Sequence, residues 1–160
     1  MNFFIYFCSK LTTEQYKITT MRTTEPKTEP SPASEAYRYV ANAKETLDKK
    51  AKLNSDYQAY EDRKYVRAAG HYLWLSVLIM LEAKYHLKKN KRSRVDIDDY
   101  KLRLTNDDKK LLSMVNRAYD IMHLNMGYDG VQDKIVCSQG IHLANEIIDR
   151  CERHIIPKQE

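Results

Sequence analysis

Two histidines and the cations near them are where this sequence could do chemistry. Arg117 and His123 are separated by five residues. An imidazole can serve as general acid or base, and a guanidinium can stabilise developing negative charge. Helical geometry works against this pair. At 100° per residue the two side chains stand about 120° apart on an unbroken helix, Arg117 towards solvent and His123 at the edge of an apolar stripe. Asn116 and Asp120 lie nearer His123, at i−7 and i−3, and form a better local cluster. His71 is the second candidate. Arg67, His71, Leu75, Leu78 and Glu82 fall within a helical sector of about 80°. An imidazole between a cation and an anion could serve as a base. The weightier reading is a buried histidine held by hydrogen bonds to a neighbouring helix.

Other constellations carry less chemistry. Gly127-Tyr128-Asp129-Gly130 is the densest turn signal. It places Gly127 as the residue that stops one helix and Asp129 as the cap of the next. It lacks the strand and the Gly-x-x-x-x-Gly-Lys spacing of a phosphate loop. Lys88, Lys89, Lys91, Arg92 and Arg94 put five positive charges in seven residues. The bland reading is a solvated loop at a helix C-terminus, and the sharper one is a nucleic-acid contact. Cys151 and His154 could share a metal, but two ligands without a second pair are a weak signal. No metal site and no cofactor site is expected.

The chain has 160 residues, 4 Gly and 4 Pro, and is 42% hydrophobic and 31% charged. That suits one globular, helical domain, and it is poor in the turns an all-β fold needs. The net charge is +5, which keeps RNA open as a partner. The apolar run from Tyr72 to Leu81 is about half of the roughly 20 residues of a membrane span. Cys137 and Cys151 would lie about 21 Å apart on one helix, too far for a disulfide. Reduced thiols and a cytoplasmic location follow.

Residues 1–32 read as a disordered or over-extended N-terminal segment, with Met21 as an alternative start and three prolines before residue 33 that forbid a regular helix. The folded part should span 33–156. A first helix over about 33–52 starts at Pro32 with Ser31 as N-cap, its apolar face formed by Tyr37, Val40, Ala41 and Leu47. A second runs over about 57–89, with Tyr57, Tyr60 and Tyr65 clustered at its start. Its second half is apolar all round and so needs neighbours on several sides. Gly70 inside it costs about 1 kcal/mol relative to Ala and marks a close helix approach. A short helix over 96–104 follows. Thr105 or Asn106 then caps the helix carrying Leu111, Leu112, Val115, Ala118, Tyr119, Met122 and Met126. The last helix covers about 131–154, with Ile135, Val136, Leu143, Ala144, Ile147, Ile148 and Cys151 inward. The expected fold is all-α, an antiparallel four-helix bundle with a short fifth helix.

Two stretches carry a resemblance. They are Tyr65-Val66-Arg67-Ala68-Ala69-Gly70-His71, after Glu61-Asp62-Arg63-Lys64, and His123-Leu124-Asn125-Met126-Gly127-Tyr128-Asp129-Gly130. With Glu146-Ile147-Ile148-Asp149 they resemble the bacterial domain of unknown function 5618 over about residues 34–153. The resemblance implies a small helical bundle and marks Gly70, His71, His123, Gly127, Tyr128, Asp129 and Gly130 as motif positions. Bundles of this size also look like the HEPN superfamily and the substrate-binding partners of small nucleotidyltransferases. The Arg-x4-6-His motif of active HEPN ribonucleases is similar in spacing to Arg117–His123.

The sequence therefore points first to a non-enzymatic helical module that binds itself, as a homodimer, or another protein, without a membrane. The alternative is a HEPN-like RNA-binding protein or metal-independent ribonuclease. There Arg117 and His123 would be catalytic, and the 88–94 cations would steer RNA.

Overall fold

The structure, a computed structural model, describes residues 30–86 and 97–155. The expected N-terminal tail before residue 30 and the basic run 88–94 lie outside the described residues.

Helix α1 covers Pro32–Glu45, with the Ser31 hydroxyl accepting from the Ser34 amide at 3.2 Å. Proline in the first turn gives up a hydrogen bond that helix starts lack anyway. Ala33, Ala36, Val40 and Ala43 bury one face. Tyr37 and Ala41, expected on that face, are exposed; the Tyr37 hydroxyl instead reaches out to the Asp149 carboxylate. The chain continues in a π-helical segment, π1, over Thr46–Ala51.

The expected second helix does not begin at residue 57. A two-stranded antiparallel ribbon stands there, β1 (Leu53–Asn54) against β2 (Ala59–Tyr60), with Leu53 opposite Tyr60. Side-chain chemistry turns the chain. Asn54 Oδ1 accepts from the Asp56 amide at 3.1 Å, an Asx-type turn that competes with helix. Helix α2 then covers Arg63–Tyr85, capped by Asp62, whose Oδ1 accepts from the Lys64 amide at 2.9 Å. Tyr57 and Tyr60 thus lie on the ribbon, not on a helix.

Helix α3 covers Ile97–Asp107 and α4 covers Lys109–Ala118. The cap of α4 is Asp108, which accepts from the Leu111 amide at 2.9 Å; Thr105 and Asn106 are inside α3. A carboxylate is a stronger acceptor than a hydroxyl, and Arg150 of the last helix holds this one in place at 2.8 Å. Beyond α4 the chain winds into a long π-helix, π2, over Tyr119–Asp129. Gly130, at φ 69°, is its left-handed cap, so the stop expected at Gly127 falls three residues later. Helix α5 covers Lys134–Ile155. Asp133 rather than Asp129 caps it, accepting from the Ile135 and Val136 amides at 2.6 and 3.1 Å. Ile135, expected inward, is exposed in this first turn.

The fold is mostly helical, with α2 at its centre, in contact with α1, π1, π2, α4 and α5. That explains the all-round apolar second half of α2: Leu73, Trp74, Val77, Met80 and Leu81 are buried. No helix among the described residues is long and apolar enough to cross a membrane.

Candidate functional site

The two motif stretches meet at one place. Gly70 on α2 lies directly against π2: a Cβ there would stand 2.6 Å from the Gly127 nitrogen and 2.7 Å from the Met122 carbonyl oxygen. Only glycine permits that approach. Its consequence is an open cleft of about 690 Å³ between the two elements, lined by Arg63, Arg67 and His71 from α2 and by His123, Gly127, Tyr128 and Asp129 from π2.

Register explains both sides. Arg63, Arg67 and His71 follow each other at i, i+4 and i+8, which aligns them along one face of an α-helix. In a π-helix hydrogen bonds run from i to i+5, which brings Tyr128 round to the side of His123. The left-handed turn at Gly130 packs against the two arginine side chains. A Cβ there would collide with the Arg63 stem and lie 3.0 Å from Arg67 Nε.

The two imidazoles stand with ring centroids 6.4 Å apart in an edge-on arrangement. His123 also lies 5.0 Å from the Tyr119 ring and 5.8 Å from Trp74. This aromatic wall encloses Nδ1 of His123, which has no hydrogen-bond partner. Burial, and then the charge of His71, pull the His123 pKa below the ordinary histidine value. His123 is therefore biased to its neutral form.

The charge balance is one-sided. The Arg63 and Arg67 side chains have no hydrogen bond or ion pair among the described residues. Among the described residues, Asp129 is the one carboxylate that lines the cleft. A second concavity, along Gln58, Lys134, Ile135 and His142, differs in this respect, since His142 has Glu146 at 3.7 Å.

A profile described as domain of unknown function (DUF5618) matches residues 31–153. The chain belongs to this family. A solved structure similar to this DUF5618 chain is a protein of unknown function from Dyadobacter fermentans, at 37% identity, covering 78% of this chain and 96% of that one, with a TM-score of 0.69. No curated protein matches the chain significantly.

Within the DUF5618 region, the structure gathers His71, His123, Gly127, Tyr128 and Asp129 around one cleft, with Gly70 and Gly130 as its supports. His71 is exposed there and not the buried core histidine of the weightier reading. Arg117, Asn116 and Asp120 are exposed and are not among the residues lining the cleft. Arg63 was missed by the sequence reading as a site residue, and Arg67 was seen only as part of a stripe. Their spacing with His71 was the available signal. Cys137 and Cys151 are buried free thiols, each pushed up to about 12 by burial, so neither is a ready nucleophile. No group of three or more His, Cys, Asp or Glu side chains that could hold a metal occurs among the described residues.

Proposed function

We propose that this protein is a non-enzymatic helical-bundle module, a single domain over about 33–156, that recognises an anionic group of its partner in the α2–π2 cleft. The observation that carries this reading is the pair of guanidiniums, Arg63 and Arg67, unpaired among the described residues and lining one cleft with His71, His123 and the Asp129 carboxylate. Unpaired cations that converge on a concave surface favour an anion there. Apolar residues offer adjoining contact: Leu75, one turn past His71, is 42% exposed and Tyr128 75%. A second copy of the chain is one such partner.

The test is a titration of the full chain with sulfate and with citrate, followed by the histidine Hε1 resonances. Shifts of His71 and His123 that disappear in Arg67→Ala support the reading. Unmoved resonances with both anions overturn it. Sedimentation over a wide concentration range reads the self-association part, which fails if the chain stays monomeric.

A second reading, metal-independent RNA cleavage, draws on the low pKa of His123. Its neutral ring would accept a proton from a ribose 2′-hydroxyl as that oxygen attacks phosphorus. A second group would return a proton to the departing 5′-oxygen. Total RNA incubated with the protein in EDTA, beside His123→Ala and Arg117→Ala, decides it. Cleavage lost in both variants supports the Arg117–His123 pair; intact RNA overturns the reading.

A further inference from the structure

We propose that the ligand group of this cleft is a phosphoryl dianion, the terminal phosphate of a small phosphomonoester or phosphate itself, held between Arg63 and Arg67 with His123 opposite. The inference rests on the anion-recognition reading above and names its ligand chemistry. Three features lead to it.

The first is charge. Two arginines carry permanent charge at any physiological pH, and Asp129 offsets one of them. The cleft therefore carries net positive charge, and a dianion held there would in turn favour the protonated form of His123. The second is geometry. A guanidinium presents donors in a planar fork, and one fork saturates one carboxylate. Here two forks lie one helical turn apart, with two imidazoles across from or beyond them. A tetrahedral group with three terminal oxygens spreads its acceptors in three dimensions, whereas a carboxylate keeps its lone pairs in one plane. The third is backbone approach. The glycine at 127 leaves no side chain between His71 and π2: a Cβ there would lie 3.4 Å from His71 Nδ1 and Cε1. The volume of about 690 Å³ falls within the roughly 300–1,000 Å³ of small-molecule sites. It exceeds what a bare phosphate fills, so a phosphomonoester has space for its organic part.

The experiment is calorimetric titration of the full chain with inorganic phosphate, uridine 5′-monophosphate and citrate at one ionic strength. Inorganic phosphate or the nucleotide binds, and both Arg67→Ala and Arg63→Ala weaken it tenfold or more while retaining the far-UV spectrum of the parent. Lys44→Ala, an exposed cation on α1, leaves binding unchanged. Tighter binding of the nucleotide than of phosphate identifies a phosphomonoester as the source; equal binding identifies phosphate itself. Either meets the proposal. Binding of citrate alone overturns it and leaves the broader anion reading standing. Absence of binding by all three overturns both. Phosphate binding that neither arginine variant weakens places the site elsewhere and also overturns it.

Discussion

Gly70 and Gly127 lie far apart in the chain and touch in the fold, with only 2.6 Å between the position of a Cβ on Gly70 and the Gly127 nitrogen. This contact sets the spacing of α2 and π2. It therefore sets the distance between the histidine each element contributes. The site and the core share one packing device, so a change in either glycine affects stability and cleft together.

Gly70→Ala should make this visible. Helix propensity alone would favour alanine by about 1 kcal/mol. The added methyl group meets backbone atoms of π2, which cannot rotate away. Overpacking costs typically 1–3 kcal/mol and more where backbone must shift. The expected net result is a loss of about 2 kcal/mol or more in urea unfolding, and altered His71 and His123 resonances. Equal or greater stability of the variant would show that the two elements separate easily.

The His123 titration offers a second check. Its midpoint should lie below the ordinary histidine value, because burial and then the charge of His71 disfavour the imidazolium. His71→Gln removes the second cause only. The midpoint should then rise but stay below the ordinary value. The stability effect has a definite sign. The unfolded chain binds the proton more readily than the folded one, so this group's contribution falls as pH drops below about 6.5. A midpoint at or above the ordinary value in the parent protein would contradict the enclosed position of Nδ1.

Much of this was legible from residues, and the gaps have physical causes. Ser31 and Pro32 announce α1 because capping is local chemistry. The Gly70 close approach was legible because glycine in a helix interior needs a reason. The ribbon was not, since Tyr57, Tyr60 and Tyr65 fit a helical reading of the chain. What stabilises the ribbon is remote: Gln132 lies far along the sequence and bonds the Tyr60 and Glu61 carbonyls. The π register of 119–129 was hidden for a related reason. Leu111, Val115, Ala118, Met122 and Met126 keep α-like spacing across the change, and only the fold reveals that His123 and Tyr128 turn to the same side. Arg63 lay in a quoted motif, yet its role depends on the Gly130 turn, which comes from another part of the chain.

Gln132 gives a direct test of that remote support. Its side-chain amide donates to the Tyr60 carbonyl at 2.6 Å and to the Glu61 carbonyl at 3.0 Å. Its own carbonyl accepts from the Tyr60 amide at 2.8 Å. Gln132→Ala removes the first two bonds and retains the third. A loss of about 1–2 kcal/mol is expected, with faster amide exchange confined to residues near 59–61. Unchanged exchange there would mean the ribbon holds itself.

The Asp108–Arg150 pair governs acid stability. Arg150 donates to both Asp108 oxygens at 2.8 Å, and Asp108 is 9% exposed. The hydrogen bond to Arg150 is the chief reason the Asp108 pKa falls from 3.8 to about 2. A depressed carboxylate contributes its full stability above the unfolded value. It loses that contribution as pH falls from about 4 to about 2, roughly 2 kcal/mol in all. Asp108→Asn keeps an oxygen to cap α4 and loses the ion pair. It should cost about 2 kcal/mol at pH 7, and its stability should fall less steeply between pH 4 and 2 than that of the parent. Asp108→Ala loses the cap as well and should cost about 1 kcal/mol more. Chemical denaturation across that pH range checks all three proteins. Parallel curves for the parent and Asp108→Asn would assign the acid sensitivity to another carboxylate.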